Sequence, residues 1–335
     1  MPINTPDFWY KKKDSVSSSI KEISLFPLSV AYQIGHRFNL LTSKTKAVDN
    51  PVICIGNITA GGSGKTPTSI AINDLIVKNN IAKSPYFLTR GYGGNERNAK
   101  CITDQDSSIE VGDEALLLVR HSNTIVSRDR YKGALLAHDL GADLIIMDDG
   151  LQNKTLNKDI SFLVIDGSLA LGNGKTIPSG PLRESLNFAL KRIDAVIIIG
   201  DDTHHIEENL PCNIPVFSGN ITVIKESIPD KSKKYIAFCG LANPDKFYTT
   251  LKENGYEVLE YISYPDHHVF TKTEIERINK AAEKHKADII TTEKDAVRLP
   301  KTFRNDVNIL SIKLKLTNED KLINFIKDKL KREII

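Results

Sequence analysis

The stretch Pro51–Thr68, PVICIGNITAGGSGKTPT, constrains this chain more than any other. An apolar run from Val52 to Ile55 breaks into a turn carrying Gly61, Gly62 and Gly64, after which Lys65 and Thr66 open a helical pattern. Strand, glycine-rich loop and helix in that order make a phosphate cradle. The glycines let backbone N–H groups approach a polyphosphate, and the helix N-terminus adds partial positive charge. On this reading Thr59, Ala60, Gly61, Gly62, Ser63, Gly64, Lys65 and Thr66 bind the phosphates of ATP or GTP. Lys65 reaches the β- and γ-phosphates and Thr66 holds Mg²⁺. Laid on GxxxxGK[ST], the stretch has Thr59 where the first glycine belongs. Pro67 falls in the first helical turn, where proline is tolerated. A glycine-rich turn with a chance GKT would not explain the strand and helix signals on either side.

A second apolar run, Leu144 to Met147, ends in Asp148, Asp149 and Gly150. An apolar strand delivering an aspartate at its C-terminal end, downstream of a phosphate loop, is the Walker B arrangement and points Asp148 and Asp149 at the nucleotide's Mg²⁺. Strands are expected at Pro85–Leu88, Thr124–Val126, Ile160–Ile165 and Ala195–Ile199, with helices at Ser69–Val77, Val111–Leu118 and Asp129–Leu140. Asp113 and Glu114 sit in a first helical turn, where acids serve as caps as readily as catalysts, and Arg130 lies near the start of the next helix. The loop GNGKTIPSGPLRES is too long for a plain connector and carries Arg183 and Glu184. This alternation predicts a doubly wound, mainly parallel α/β sheet over residues 51–210, with ligand bound at the carboxyl ends of its strands. A smaller α/β domain is expected over residues 211–335. Its strands fall at Tyr235–Cys239, Glu257–Ile262, Asp288–Thr292 and Val307–Ile312, and its helices near Asp245–Glu253, Lys272–His285 and Asn318–Lys331.

Composition narrows the function classes. A length of 335 residues favours two domains, and a net charge of +3 gives no argument for nucleic acid. The four cysteines lack CxxC spacing, which fits a reducing compartment and gives neither a disulfide framework nor a zinc site. Residues 1–50 form a basic leader whose uncharged stretch, Ile23 to Gly35, is shorter than the roughly 20 residues of a spanning helix. No secretory signal opens it. From Pro27, Leu28, Ala31, Ile34, Phe38 and Leu41 recur at helical spacing between polar residues, and Trp9 stands beside Lys11–Lys13. That pattern predicts an amphipathic helix lying on an anionic membrane surface, or else one packed on its own domain. In the second half, YPDHHVF places Asp266, His267 and His268 on a loop that reads as a solvated turn or a metal site. TTEKDAVRL reads as a cap network or a functional edge.

Taken together, GNITAGGSGKTP, TRGYGG, VGDEALLL, DDGLQN, GNGKTIPSGPLRE, AFCGLANPDKF, PDHH and TTEKDAV resemble the tetraacyldisaccharide 4′-kinase (lipid A 4′-kinase) family, over almost the whole length and in family order. The resemblance implies a phosphate-loop kinase core, a second lobe and a membrane-associated N-terminus. It also implies an activity: transfer of the γ-phosphate of ATP to the 4′-hydroxyl of a tetraacylated glucosamine disaccharide 1-phosphate, at the cytoplasmic face of the bacterial inner membrane, with no required protein partner. Carried over by position, Lys65 and Thr66 serve ATP and Mg²⁺, and Asp148 and Asp149 serve the metal. Asp113 is the catalytic aspartate and His267 its partner. Glu114, Arg130, Arg183 and Glu184 are further active-site positions. Where the family commonly has histidine after DDGLQ, this chain has Asn153. A deviant phosphate-loop ATPase of the partitioning or metallochaperone type is the rival, but its loops carry a lysine where Ala60 stands and it leaves PDHH unexplained. A guanine-nucleotide switch would need an NKxD motif.

Overall fold

The computed structural model describes residues 6–10, 16–42, 44–224 and 229–331. The first strands are β1 (Val52–Gly56), β2 (Pro85–Thr89), β3 (Lys100–Ile102), β4 (Thr124–Val126), β5 (Leu144–Asp148), β6 (Ile160–Asp166), β7 (Ala195–Ile199) and β8 (Val216–Val223). They are followed by β9 (Lys234–Cys239), β10 (Glu257–Ser263), β11 (Asp288–Thr292), β12 (Val307–Leu310) and β13 (Ile312–Leu316). A nine-stranded sheet runs β13-β8-β7-β6-β1-β5-β2-β4-β3, and a four-stranded sheet runs β10-β9-β11-β12. Strands β1, β2, β5, β6 and β7 are buried along their whole length, as their unbroken apolar runs require of a parallel sheet covered on both faces. The β1–β5 register pairs Ile55 with Asp148, so the acidic turn leaves β5 level with the loop that leaves β1.

The expected domain of residues 211–335 is corrected by the sheet order. β8 pairs in parallel with β7, and β13 pairs antiparallel with β8. The run expected as one strand over Val307–Ile312 is instead two: β12 in the small sheet and β13 in the large one. Leu314 and Leu316 of β13, with Leu322, Ile323 and Ile326 of the helix Glu319–Lys331, bury in the same core as Ile53, Ile72, Phe87 and Phe162. An apolar strand face goes where the larger apolar surface is open, and sequence spacing does not say which sheet that is. The helix expected at Val111–Leu118 is also divided, into Ser108–Val111 and Asp113–Leu118. Gly112 makes the break at φ +87°, where an added Cβ would lie 2.5 Å from the carbonyl oxygen of Tyr92.

The leader forms a helix, Val16–Thr42, with Pro27 inside it. Its amphipathicity is inverted relative to a helix packed on a domain. The inward face is polar: Ser29 Oγ donates to the Thr176 carbonyl at 2.9 Å, Gln33 Nε2 to Thr176 Oγ1 at 2.8 Å, and buried Glu22 pairs with Lys175 at 2.8 Å. The outward face carries Ile23, Leu28, Ile34 and Phe38, the last two 64% and 67% exposed. Trp9 is not offered to a headgroup: it is buried, and its indole N–H donates to the Pro178 carbonyl at 3.1 Å. Lys11–Lys13 lie outside the described residues. Among the described residues no helix is long and apolar enough to cross a membrane.

Candidate active site

The glycine-rich loop is braced from behind. Buried Asn57 donates from Nδ2 to the Thr59 carbonyl at 2.9 Å and to Ser63 Oγ at 2.7 Å. Ala60 N–H donates to the Pro181 carbonyl at 2.8 Å, so this amide is spent on the Gly172–Ser185 loop. Gly64 caps the helix Lys65–Lys78 in the left-handed region at φ 80°, with no side-chain bond to the first-turn amides. An uncapped helix start of this kind leaves its N–H groups to an anion. Beside the loop a cavity of about 310 Å³ opens between Thr59–Ser63 of one lobe and Ala242, Asn243 and Asp245 of the other.

Lys65 is buried with Nζ 3.8 Å from Asp149, and Arg183 Nη1 reaches the same carboxylate at 3.2 Å. Burial alone would raise Asp149; Lys65 and Arg183 outweigh it and hold the carboxyl below its ordinary value. Asp148 is in the opposite state. It is fully buried, accepts from Ser69 Oγ at 2.7 Å and Thr66 Oγ1 at 3.3 Å, and burial pushes it up, with the Glu114 charge adding to the rise. A buried carboxylate beside a threonine hydroxyl and further acidic oxygens is an all-oxygen donor set, which suits a hard divalent cation. Arg130 is buried at the start of the helix Arg130–Asp139, and its Nε has no hydrogen-bond partner. Burial lowers its pKa to about 10, against the pull of Asp149. Glu184 is buried against Arg192 and accepts from Gln152 Nε2 at 3.0 Å.

Asp113 and His267, separated by 154 positions in sequence, meet across the lobes. His267 Nδ1 lies 2.9 Å from Asp113 Oδ2 and 3.1 Å from Oδ1. His267 follows β10 at φ 57°, and the adjacent His268 turns away to pair with Glu274 at 2.9 Å. The loop is a part-exposed turn whose two histidines are each paired with a carboxylate, and among the described residues no group of three or more His, Cys, Asp and Glu is placed to hold an ion. Burial would raise Asp113, but the His267 hydrogen bond and the Lys294 and Arg298 charges hold its carboxyl well below the ordinary range. Lys294 Nζ lies 3.4 Å from His267 Nε2 and 3.5 Å from Glu114, so it links this pair to the acid next to Asp148. Tyr92 of the TRGYGG loop sets its ring 5.2 Å from the imidazole.

Sequence reasoning gives no role to Arg298, Asn57 or Lys158, and places Lys294 only in a charge cluster at a strand end. The TTEKDAVRL stretch drew notice as a strand-end charge cluster, but nothing in it says that two of its cations point across the lobes. Lys158 Nζ donates to the Gly150 carbonyl at 2.8 Å and also to those of Leu151 and Asn153, tying down the turn after Asp149. Asn153, at the position of the expected histidine, accepts from Thr155 N at 3.1 Å and so shapes the same turn.

The chain is similar to known proteins over almost its whole length. The family model for LpxK, described as tetraacyldisaccharide-1-P 4′-kinase, matches residues 21–331. A tetraacyldisaccharide 4′-kinase of Paramagnetospirillum magneticum is 42% identical over 93% of this chain and 94% of its own length. One from Gluconobacter oxydans is 36% identical over 92% and 93%. The crystal structure of the "apo" form of LpxK from Aquifex aeolicus in complex with ATP superposes with a TM-score of 0.73 at 29% identity, covering 92% of this chain and 99% of that one. This chain belongs to the LpxK family, the tetraacyldisaccharide-1-P 4′-kinases.

Proposed function

We infer that this protein is an ATP-dependent lipid kinase. It transfers the γ-phosphoryl group of ATP to the 4′-hydroxyl of a tetraacylated glucosamine disaccharide 1-phosphate, a step of lipid A biosynthesis. The observation that carries the reading is the Asp113–His267 contact of 2.9 Å, beside the acidic turn that faces Lys65 and Thr66. Phosphoryl transfer rests on positioning and charge neutralisation, plus a group to take the hydroxyl proton. First-turn amides and Lys65 hold the β- and γ-phosphates, and Arg130, with an unspent buried donor, faces the charge that builds up in the transition state. The 4′-oxygen attacks phosphorus, the bond to the ADP oxygen breaks, and the hydroxyl proton passes to the Asp113–His267 pair. Thr66, Asp148 and Asp149 are the residues that would hold Mg²⁺, which when bound neutralises phosphate charge. Glu114 and Lys294 join the two halves of the site.

The exposed apolar face of the leader helix supports a peripheral or monotopic position on an anionic membrane, at the cytoplasmic face where ATP is available. A helix bonded to its domain through Glu22, Ser29 and Gln33 has its apolar side left over for lipid. The test is transfer of radiolabelled phosphate from ATP to a tetraacyl disaccharide 1-phosphate in mixed micelles, with a soluble disaccharide as control. Labelling of the lipid alone is expected, and Lys65→Ala should lose roughly 10²-fold or more of it. Unlabelled lipid with ATP still hydrolysed would instead favour the ATPase reading.

A further inference from the structure

The carboxylate of Asp113 is only 4% exposed, and an anion so placed is costly unless paired and hydrogen-bonded. Besides His267, it has a second partner from the other lobe. Arg298 Nε donates to Asp113 Oδ2 at 2.7 Å, and Nη2 lies 2.5 Å from the same oxygen. The far side of the guanidinium is fixed as firmly, with Nη1 donating to the Gly240 carbonyl at 3.1 Å and to Asp295 Oδ1 at 3.2 Å. Asp295 is itself held by Gly240 N–H at 2.8 Å and Thr292 Oγ1 at 2.6 Å. Asp113 Oδ1 accepts from Glu114 N–H at 2.9 Å, so both oxygens are assigned and the carboxylate cannot rotate freely.

We propose that Arg298 is a positioning residue of the phosphoryl transfer: anchored on Gly240, just after β9, and on Asp295, it clamps Asp113 in the orientation that meets His267 and the attacking hydroxyl. This rests on the reading of Asp113 and His267 as the proton-accepting pair. The guanidinium is needed as a fork. One edge reads Asp113, another reads Gly240 and Asp295, and a lysine at this position would supply charge without that geometry. Lys294, held by Glu114 and Asp266 and not by Arg298, leaves a cation beside His267, so loss of Arg298 is expected to remove orientation more than to strand an uncompensated anion.

The test uses full-length protein and the labelled-lipid assay, comparing Arg298→Ala, Arg298→Lys, Asp113→Asn and the Arg298→Ala, Asp113→Asn double variant. Arg298→Ala is expected to lower kcat on the order of 10²-fold with the KM for ATP near wild type. In the Asp113→Asn background the same change should cost less than about threefold, because its action runs through Asp113. An equal penalty in both backgrounds would mark a structural residue only and overturn the proposal. If Arg298→Ala does not fold, Arg298→Lys decides: reduced kcat at an unchanged melting temperature supports the clamp, and wild-type kcat overturns it. Normal turnover by Asp113→Asn would instead remove the base reading itself, so the two failures are told apart.

Discussion

Two aspartates of similar burial are held in opposite states by their neighbours. Asp148, fully enclosed, is pushed up by burial and by the Glu114 charge; Asp113, in contact with His267 and Arg298 and within the field of Lys294, is held down as an anion. On the proposed reading, Asp148 is the acid a divalent cation would favour and Asp113 the one kept ionised beside an imidazole, a division of labour that suits a kinase. His267→Ala, which leaves Asp113 its Arg298 contact, should lower kcat by roughly 10² to 10⁴-fold with little change in ATP affinity. Steady-state kinetics against nucleotide titration checks this, and a loss confined to KM would contradict it. Spacing singles out Lys65, Thr66 and Asp148 as candidates because phosphate loops and their acidic strands are short-range patterns. Arg298 had no such signal, since its meaning lies in a partner 185 positions away.

At the scale of elements, the site depends on how loops are pinned to helix ends. The helix Lys272–His285 opens with a capping box in which Thr271 Oγ1 accepts from Glu274 N–H at 3.3 Å, and Glu274 also pairs with His268, next to His267. Burial would raise Glu274, but the Thr271 N–H and His268 lower it from 4.5 to about 2. Because the folded value is depressed, the stabilisation is fully present above pH 4.5 and is lost as pH falls toward about 2. Thr271→Ala should cost about 1 kcal/mol in urea unfolding at neutral pH. Glu274→Gln should destabilise near neutrality and converge on wild type in acid; an equal gap at both ends would refute the linkage. The leader helix gives a second prediction. Replacing Leu28, Ile34 and Phe38 with Asp should abolish co-sedimentation with anionic vesicles while sparing the fold, because these side chains touch solvent rather than core. Unchanged sedimentation would end the membrane reading of that face. The periodic spacing of these residues is visible in the sequence; that they face away from the protein is not, because amphipathic spacing has the same form for a core and for a lipid surface.

Over the whole molecule, the chain leaves the large sheet after β8, builds the small sheet from residues 234–310, and returns through β13 and the helix Glu319–Lys331. The small lobe is thus an insertion held at both ends, which lets it carry His267, Lys294 and Arg298 against Asp113 while also bridging Lys246 to Asp166. Removing residues 311–335 should therefore unfold the kinase core and not merely trim the small lobe. Leu314, Leu316, Leu322, Ile323 and Ile326 would leave that core, each worth roughly 1.5–3 kcal/mol when buried. Loss of the cooperative thermal transition is the expected result, and a folded, ATP-binding fragment would contradict it. The sequence by itself determined the strand–loop–helix cradle, the parallel alternation and most element positions, because these follow from apolar runs and glycine conformations local to a few residues. Only the tertiary structure decided which sheet received β8 and β13, which way the leader helix turned its apolar side, and which cation gripped Asp113. Those outcomes depend on apolar surface and charge supplied by segments far away in the chain, and no local pattern encodes a distant partner.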